Sequence, residues 1–133
     1  MRRAFAIAAL IATLPFSAQA FTAENRLNVA DIGGGVYEVV GRPGISGARQ
    51  FWCAAGDYAF SLGVPTNTRV YLVSGRQPSV TEPGRTAVRF TLDPRAAGIT
   101  PLTPQLVLTV KVPGDNLSVA VAREFCGVVV SRP

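Results

Sequence analysis

Cys53 and Cys126 are the only two cysteines in the chain, and they constrain it more than any other feature. Their wide separation rules out a Cys-x-x-Cys redox motif and a zinc knuckle. One structural disulfide is the economical reading, and it ties the middle of the chain to its far end. Closing so long a loop stabilises a fold by about 4 kcal/mol on the chain-entropy account. The rival is a free nucleophilic or redox-active thiol, which needs an activating neighbour that the local sequence does not supply.

Cys53 falls inside Phe51-Trp52-Cys53-Ala54-Ala55-Gly56-Asp57-Tyr58-Ala59-Phe60-Ser61-Leu62. This stretch holds the only Trp and four of the aromatics (7 Phe, 3 Tyr and 1 Trp in all). With Ser46 as N-cap, Ala48 to Leu62 reads as a helix, since positions 51, 55, 58, 59 and 62 recur at the spacing of one buried face. Around it the pattern is mostly strand and turn. Leu27, Val29 and Asp31 alternate up to Gly33-Gly34-Gly35, and Val36 to Val40 follows, which reads as a hairpin. Strands are expected at 69–74, at 86–93 with one wet face, and most clearly at 105–112, where Leu106, Leu108, Val110 and Val112 share a face. A second helix is expected at about 116–126, capped by Asp115 or Asn116, although Leu117, Val119 and Val121 also alternate like a strand. Val128-Val129-Val130 offers a last short strand. Strands that follow one another through turns give a mainly antiparallel sheet of about five strands, with one long helix (about 48–62) and a second near the C-terminus: an α+β domain.

The first twenty residues read separately. Met1-Arg2-Arg3 opens an apolar block from Ala4 to Leu14, and Pro15 and Ser17 lead to Ala18-Gln19-Ala20. A short basic start, a short apolar core and a small-x-small exit describe an export signal cut after Ala20. The block is shorter than the roughly 20 apolar residues a spanning helix needs. The general secretory route fits better than the twin-arginine route, and no cysteine follows the cut to carry a lipid. The expectation is a periplasmic or secreted single domain, 21–133, with no stable membrane anchor after cleavage.

The net charge of +5 falls to +3 once Arg2 and Arg3 leave. All of the 13 basic residues except Lys111 are arginine, and they form no run in the mature chain. Nucleic-acid binding needs basic residues clustered on one face, so no nucleic acid is expected as partner.

The chain has 0 histidines, which removes most nucleophile–base systems and the commonest metal ligand. Calcium needs acids at alternate loop positions, and none occur, so neither metal nor cofactor is expected. The loop Gly41-Arg42-Pro43-Gly44-Ile45-Ser46-Gly47 lies between a strand and a helix, as a phosphate-binding turn would, yet it lacks the P-loop spacing and its lysine. Arg42, Ser46, Gly47 and Arg49 at the helix N-terminus remain a candidate anion or ligand site against a plain connecting loop. The Pro-rich 93–104 loop is a second candidate surface.

Asp57 stands one turn after Cys53 and Arg123 about one turn before Cys126. Two antiparallel helices joined by the disulfide would therefore bring Asp57 and Arg123 into a structural salt bridge. Glu124 points about 200° around its helix from Cys126, so it does not face Asp57. The aromatics Trp52, Phe51, Tyr58, Phe60, Tyr37 and Tyr71 pack a small core first and line an apolar pocket second.

The Phe51–Ala59 segment, Arg69-Val70-Tyr71-Leu72-Val73, Val88-Arg89-Phe90-Thr91-Leu92-Asp93-Pro94 and Arg123-Glu124-Phe125-Cys126 together resemble a group of small exported proteins of unknown function from alphaproteobacteria. The resemblance implies an exported address and brings across no functional residues. The expected function is non-catalytic binding of an unknown protein or small ligand in the cell envelope. The alternative is a small carboxylate-dependent hydrolase with Asp57 as participant, which requires two acids across a concave pocket, whereas a binding module pairs Asp57 with arginine.

Overall fold

The computed structural model describes residues 20–105 and 107–127. The expected export signal before Ala20 and the strand at 128–130 lie outside the described residues, as does Leu106. Six strands form one sheet in the order β1-β2-β3-β5-β4-β6, with every neighbour antiparallel. The strands are β1 (Phe21–Thr22), β2 (Asn28–Gly33), β3 (Val36–Val40), β4 (Arg69–Pro78), β5 (Thr86–Thr91) and β6 (Asn116–Ser118). Helix α1 (Ala48–Ser61) follows β3, and α2 (Val119–Glu124) follows β6. The domain is α+β, with one long helix.

Strand alternation sorts the side chains to the two faces of the sheet. In register, Tyr37 stands opposite Phe90, Val39 opposite Val88, and Leu72 opposite Phe90, all on the face that α1 covers. Trp52 meets the Phe90 ring edge-on at 5.0 Å, and the Tyr37 hydroxyl donates to the Ala55 carbonyl at 3.0 Å. The β2–β3 turn uses Gly33, Gly34 and Gly35 at φ of 88°, 65° and 76°, a backbone region that other residues enter at a cost.

The disulfide joins Cys53 to Cys126 with Cα atoms 4.8 Å apart, and it clamps α2 antiparallel to the middle of α1. The helices touch at Gly56. A Cβ there would sit 2.6 Å from the Ala122 Cβ, so glycine is what allows this approach.

Four expectations need correction. The described residues of 105–112 form no strand. The ladder on the outer side of β4 is made by β6, through Arg69–Ser118, Val70–Leu117 and Tyr71–Asn116 pairing. The segment instead closes one end of the core as irregular chain, with Val110 buried and the Thr109 carbonyl accepting from the Trp52 indole at 2.9 Å. The helix expected from 116 begins at Val119: Asn116 is held in the ladder by Arg69 Nε at 2.9 Å, and Ser118 becomes the N-cap, accepting from Val121 N–H. Gly47, not Ser46, occupies the N-cap of α1 and supplies no side-chain bond. The wet face expected for β5 is largely covered, with Thr91 buried and its hydroxyl 2.6 Å from the Gly35 carbonyl.

Candidate functional site

Helix α1 and strand β3 run between two concave surfaces. At the N-terminal end of α1, Gly41, Arg42, Pro43 and Ser46 meet Gly84, Arg85 and Thr86 from the tip of the β4–β5 hairpin. Together they line a shallow hollow of about 220 Å³ with a mixed polar and apolar surface. Arg76 reaches the same loop, donating through Nη2 to the Ser46 carbonyl at 2.9 Å while its guanidinium lies 5.5 Å from the Phe51 ring centre. Arg42 donates to the Arg26 carbonyl at 3.4 Å, a long bond that holds it weakly. Arg42, Arg76 and Arg85 have no carboxylate within ion-pair distance among the described residues. The first turn of α1 contains no acid and no side-chain cap, so its leading N–H groups add partial positive charge at this end.

Of the residues proposed from sequence for this site, the structure brings Arg42 and Ser46 together at the hollow and separates Arg49 from them. Arg49 turns toward α2 and stacks over Phe125 at 5.1 Å. Gly47 starts the helix beside the hollow without lining it. Arg85 and Arg76 were missed because they are distant in sequence, and only the bent hairpin delivers them. The one local hint was Arg85 placed directly after Pro83-Gly84, a turn that projects its neighbour.

Glu38 holds that hairpin tip in place. Its side chain projects from the middle of β3 on the face away from α1 and is fully buried. One oxygen accepts from Ser79 Oγ at 2.7 Å, from Thr81 N–H at 3.1 Å and from Thr81 Oγ1, and the other accepts from Val80 N–H at 3.2 Å. Burial works to raise its pKa, but these four bonds outweigh burial and hold the carboxyl below the ordinary glutamate value. A carboxylate so stabilised is a weak general base, so its contact with Ser79 is a structural clasp. A lone acid within Val36-Tyr37-Glu38-Val39-Val40 was the signal that this one is buried.

At the C-terminal end of α1, Asp31, Gly35, Val36, Tyr37, Tyr58, Leu62, Leu92 and Asp93 line a largely apolar cleft of about 210 Å³. Tyr58 packs on Tyr37 at 4.6 Å and on Phe21 at 5.6 Å. Burial, and then the charge of Asp31, raises the Tyr58 phenol above its ordinary value; burial, and then Tyr58, raises Tyr37 well above it. Asp31 Oδ1 accepts from Gly33 N–H at 2.8 Å and Asp93 Oδ1 from Ala96 N–H at 3.1 Å.

Two acids on one concave surface meet half of the hydrolase pattern. The other half is a carboxyl shielded from water by burial, and the lining of this cleft supplies none. Asp31 and Asp93 are both exposed, and Glu38 is held ionised. Asp57 lies outside both concavities. Its Oδ1 is 3.5 Å from Arg123 Nε, its Oδ2 accepts from Glu24 N–H at 2.9 Å, and Arg123 stacks 3.7 Å over Phe60.

The chain matches no protein-family model, no curated protein and no solved structure. The disulfide, with no helix among the described residues long and apolar enough to cross a membrane, fits an extracellular or periplasmic protein.

Proposed function

We propose that this is an exported, non-catalytic binding protein of the cell envelope, which recognises anionic groups of the phosphate type at the Arg42–Arg85 hollow. One observation carries the reading. Arg42 and Arg85, separated by more than forty positions, line one hollow without a carboxylate to neutralise them among the described residues. Arginine presents a planar fork of donors that fits a phosphate or carboxylate at two points. Arg76 and the uncapped start of α1 place further positive charge beside it. An export signal cut after Ala20 delivers the domain to the periplasm, where the disulfide forms and where anionic headgroups and free phosphate are both present. The pairing of Asp57 with Arg123 also favours binding over carboxylate hydrolysis, since it ties up the acid that a hydrolase would have used.

The test is a two-dimensional NMR titration of the oxidised domain with inorganic phosphate, and in parallel with vesicles containing phosphatidylglycerol. Wild-type protein is compared with R42Q, R85Q and the double variant. The expected result is shifts confined to residues 41–47 and 82–86, with affinity weakened about tenfold by each substitution, as loss of a charge-assisted bond implies. Saturation by phosphate alone identifies a soluble ligand, and broadening by vesicles alone a headgroup. A double variant that binds both probes as wild type does overturns the reading.

A further inference from the structure

Resting on the anion reading of the hollow, we infer that Glu38 is its positioning residue, so that a proton on Glu38 and an anion between Arg42 and Arg85 oppose one another. The hairpin tip is the link. Among the described residues, every hydrogen bond that 79–85 makes outside its own hairpin goes to the Glu38 carboxylate. Ser79 passes that hold on to Arg85. Its Oγ donates to Glu38 and accepts from Glu82 N–H at 3.0 Å, its own N–H donates to the Arg85 carbonyl at 2.9 Å, and Arg85 N–H donates to the Glu82 carbonyl at 3.2 Å. Just beyond β3, Gly41 N–H donates to the Thr86 carbonyl at 2.8 Å. One strand therefore carries both the loop that bears Arg42 and the clasp that seats Arg85. No residue of 79–86 is buried, so little packing is there to replace the clasp.

The clasp is complete only while Glu38 is ionised. One oxygen accepts from Val80 N–H and the other from Thr81 N–H and two hydroxyls, so a proton on either oxygen competes with a backbone donor. Facing Glu38 across the ladders are Ala30 of β2 and Arg89 of β5, and the tip itself carries Glu82 and Arg85. Neither arginine lies within 4.0 Å of the Glu38 carboxylate, so its donors are neutral and it supplies position rather than an ion pair. Two effects of opposite sign then meet. Loss of the negative charge by itself draws an anion more tightly to the arginines, but solvent and salt screen that gain. Loss of the clasp frees Arg85 from the hollow and costs a charge-assisted bond, which is the larger effect. Against burial, which works to raise it, the same bonds keep the Glu38 pKa below the ordinary glutamate value, so the hollow stays formed in mild acid and opens below it. By linkage, a bound anion lowers that value further.

The experiment titrates the oxidised domain with sulfate, whose charge is constant over the range, at about pH 6 and about pH 3, on either side of the ordinary glutamate value, followed by NMR. Wild type is compared with E38Q and with T81V, which removes one clasp bond and leaves Glu38 charged. The expected result is a wild-type response at residues 41–47 and 82–86 that weakens about tenfold in acid. At pH 6, E38Q binds about five- to tenfold more weakly than wild type and T81V about two- to threefold. E38Q then changes little with pH, which separates Glu38 from the other acids, and unmoved signals at 31–37 and 58–62 report an intact fold. E38Q that binds sulfate as tightly as wild type or tighter, or wild-type affinity that rises in acid, overturns the inference alone, since the hollow still binds. No wild-type response at pH 6 overturns the anion reading and this inference with it. Should E38Q fail to fold, the acid limb of the wild type and T81V decide the same question.

Discussion

At the N-terminal end of α1 the protein gathers arginines around a shallow hollow of mixed lining; at the C-terminal end it gathers tyrosines and leucines beside two aspartates. The two ends share a helix and a strand, for β3 starts at the cleft with Val36 and runs through Val40 to Gly41 at the hollow. They are held together by different forces. The cleft is an extension of the core: Tyr37 and Tyr58 pack on one another and on Phe21 and Phe90, so its walls are fixed by burial of aromatic surface. The hollow is made from two surface loops, and one of them is positioned by hydrogen bonds to Glu38. Aromatic packing builds a surface that lasts as long as the core does, whereas a polar clasp builds one that a proton can loosen. Between the two ends, the disulfide and the Gly56–Ala122 contact clamp α2 to α1 and serve both.

The largest expected effect breaks both ends at once. Reduction, or the C53S/C126S double substitution, removes the clamp and is expected to lower unfolding free energy by about 4 kcal/mol. Urea unfolding of oxidised and reduced protein measures this. A loss well under 1 kcal/mol would show that α2 is held by packing alone.

A smaller effect separates the ends. E38Q keeps the shape of the side chain but sets an amide N–H against one of the surrounding donors, and is expected to cost about 2 kcal/mol. The damage is expected at 79–86, seen as faster amide exchange there with residues 31–37 and 58–62 unchanged. Acid gives the same separation in the wild-type chain. Because the folded pKa of Glu38 lies below its unfolded value, its contribution is present above about pH 4.3 and is lost as pH falls through the folded value. Urea midpoints between pH 6 and pH 3 are therefore expected to fall more steeply for wild type than for E38Q. Parallel curves would mean that Glu38 is not the group that couples the hairpin tip to pH.

The smallest effect leaves the comparison untouched and so serves as its control. Arg123 and Asp57 are partly exposed, with 34% and 14% of their side-chain surface accessible. R123Q is expected to cost about 1 kcal/mol or less, lost partly as the stacking on Phe60 and partly as the ion pair. The phosphate titration is not expected to change. A shift in that affinity would show that this bridge acts on the hollow.

Much of the framework was legible because it depends on neighbours in sequence. The three-and-four spacing from Phe51 to Ala59 found α1, although Leu62, read on the same buried face, is exposed at the C-cap; the glycine triplet found the β2–β3 turn, and the lone pair of cysteines found the bond that joins α1 to α2. The strand expected at 105–112 shows where such reasoning stops. Its alternation registers a true demand for burial, met at Val110, but alternation does not choose a backbone partner, and it is β6 that forms the ladder with Arg69–Tyr71 of β4. Asn116 likewise has a cap's chemistry, and its tether to Arg69 keeps it in the sheet.

The sites follow the same division. Arg42 and Ser46 were recognisable from the loop before α1, whereas Arg85 and Arg76 came to them only through the bend of β4 and the Glu38 clasp. Asp31 was read as part of the strand alternation, yet like Asp93 it accepts a backbone N–H of its own turn through Oδ1; the cleft between their turns exists because β2–β3 and the segment after β5 end beside the same helix terminus. The sequence by itself determined local geometry and the one covalent link, since backbone periodicity, turn chemistry and thiol count are properties of short stretches. The tertiary structure alone decided which edges were free, which acid was buried and which charges met, because each depends on residues brought together from distant parts of the chain.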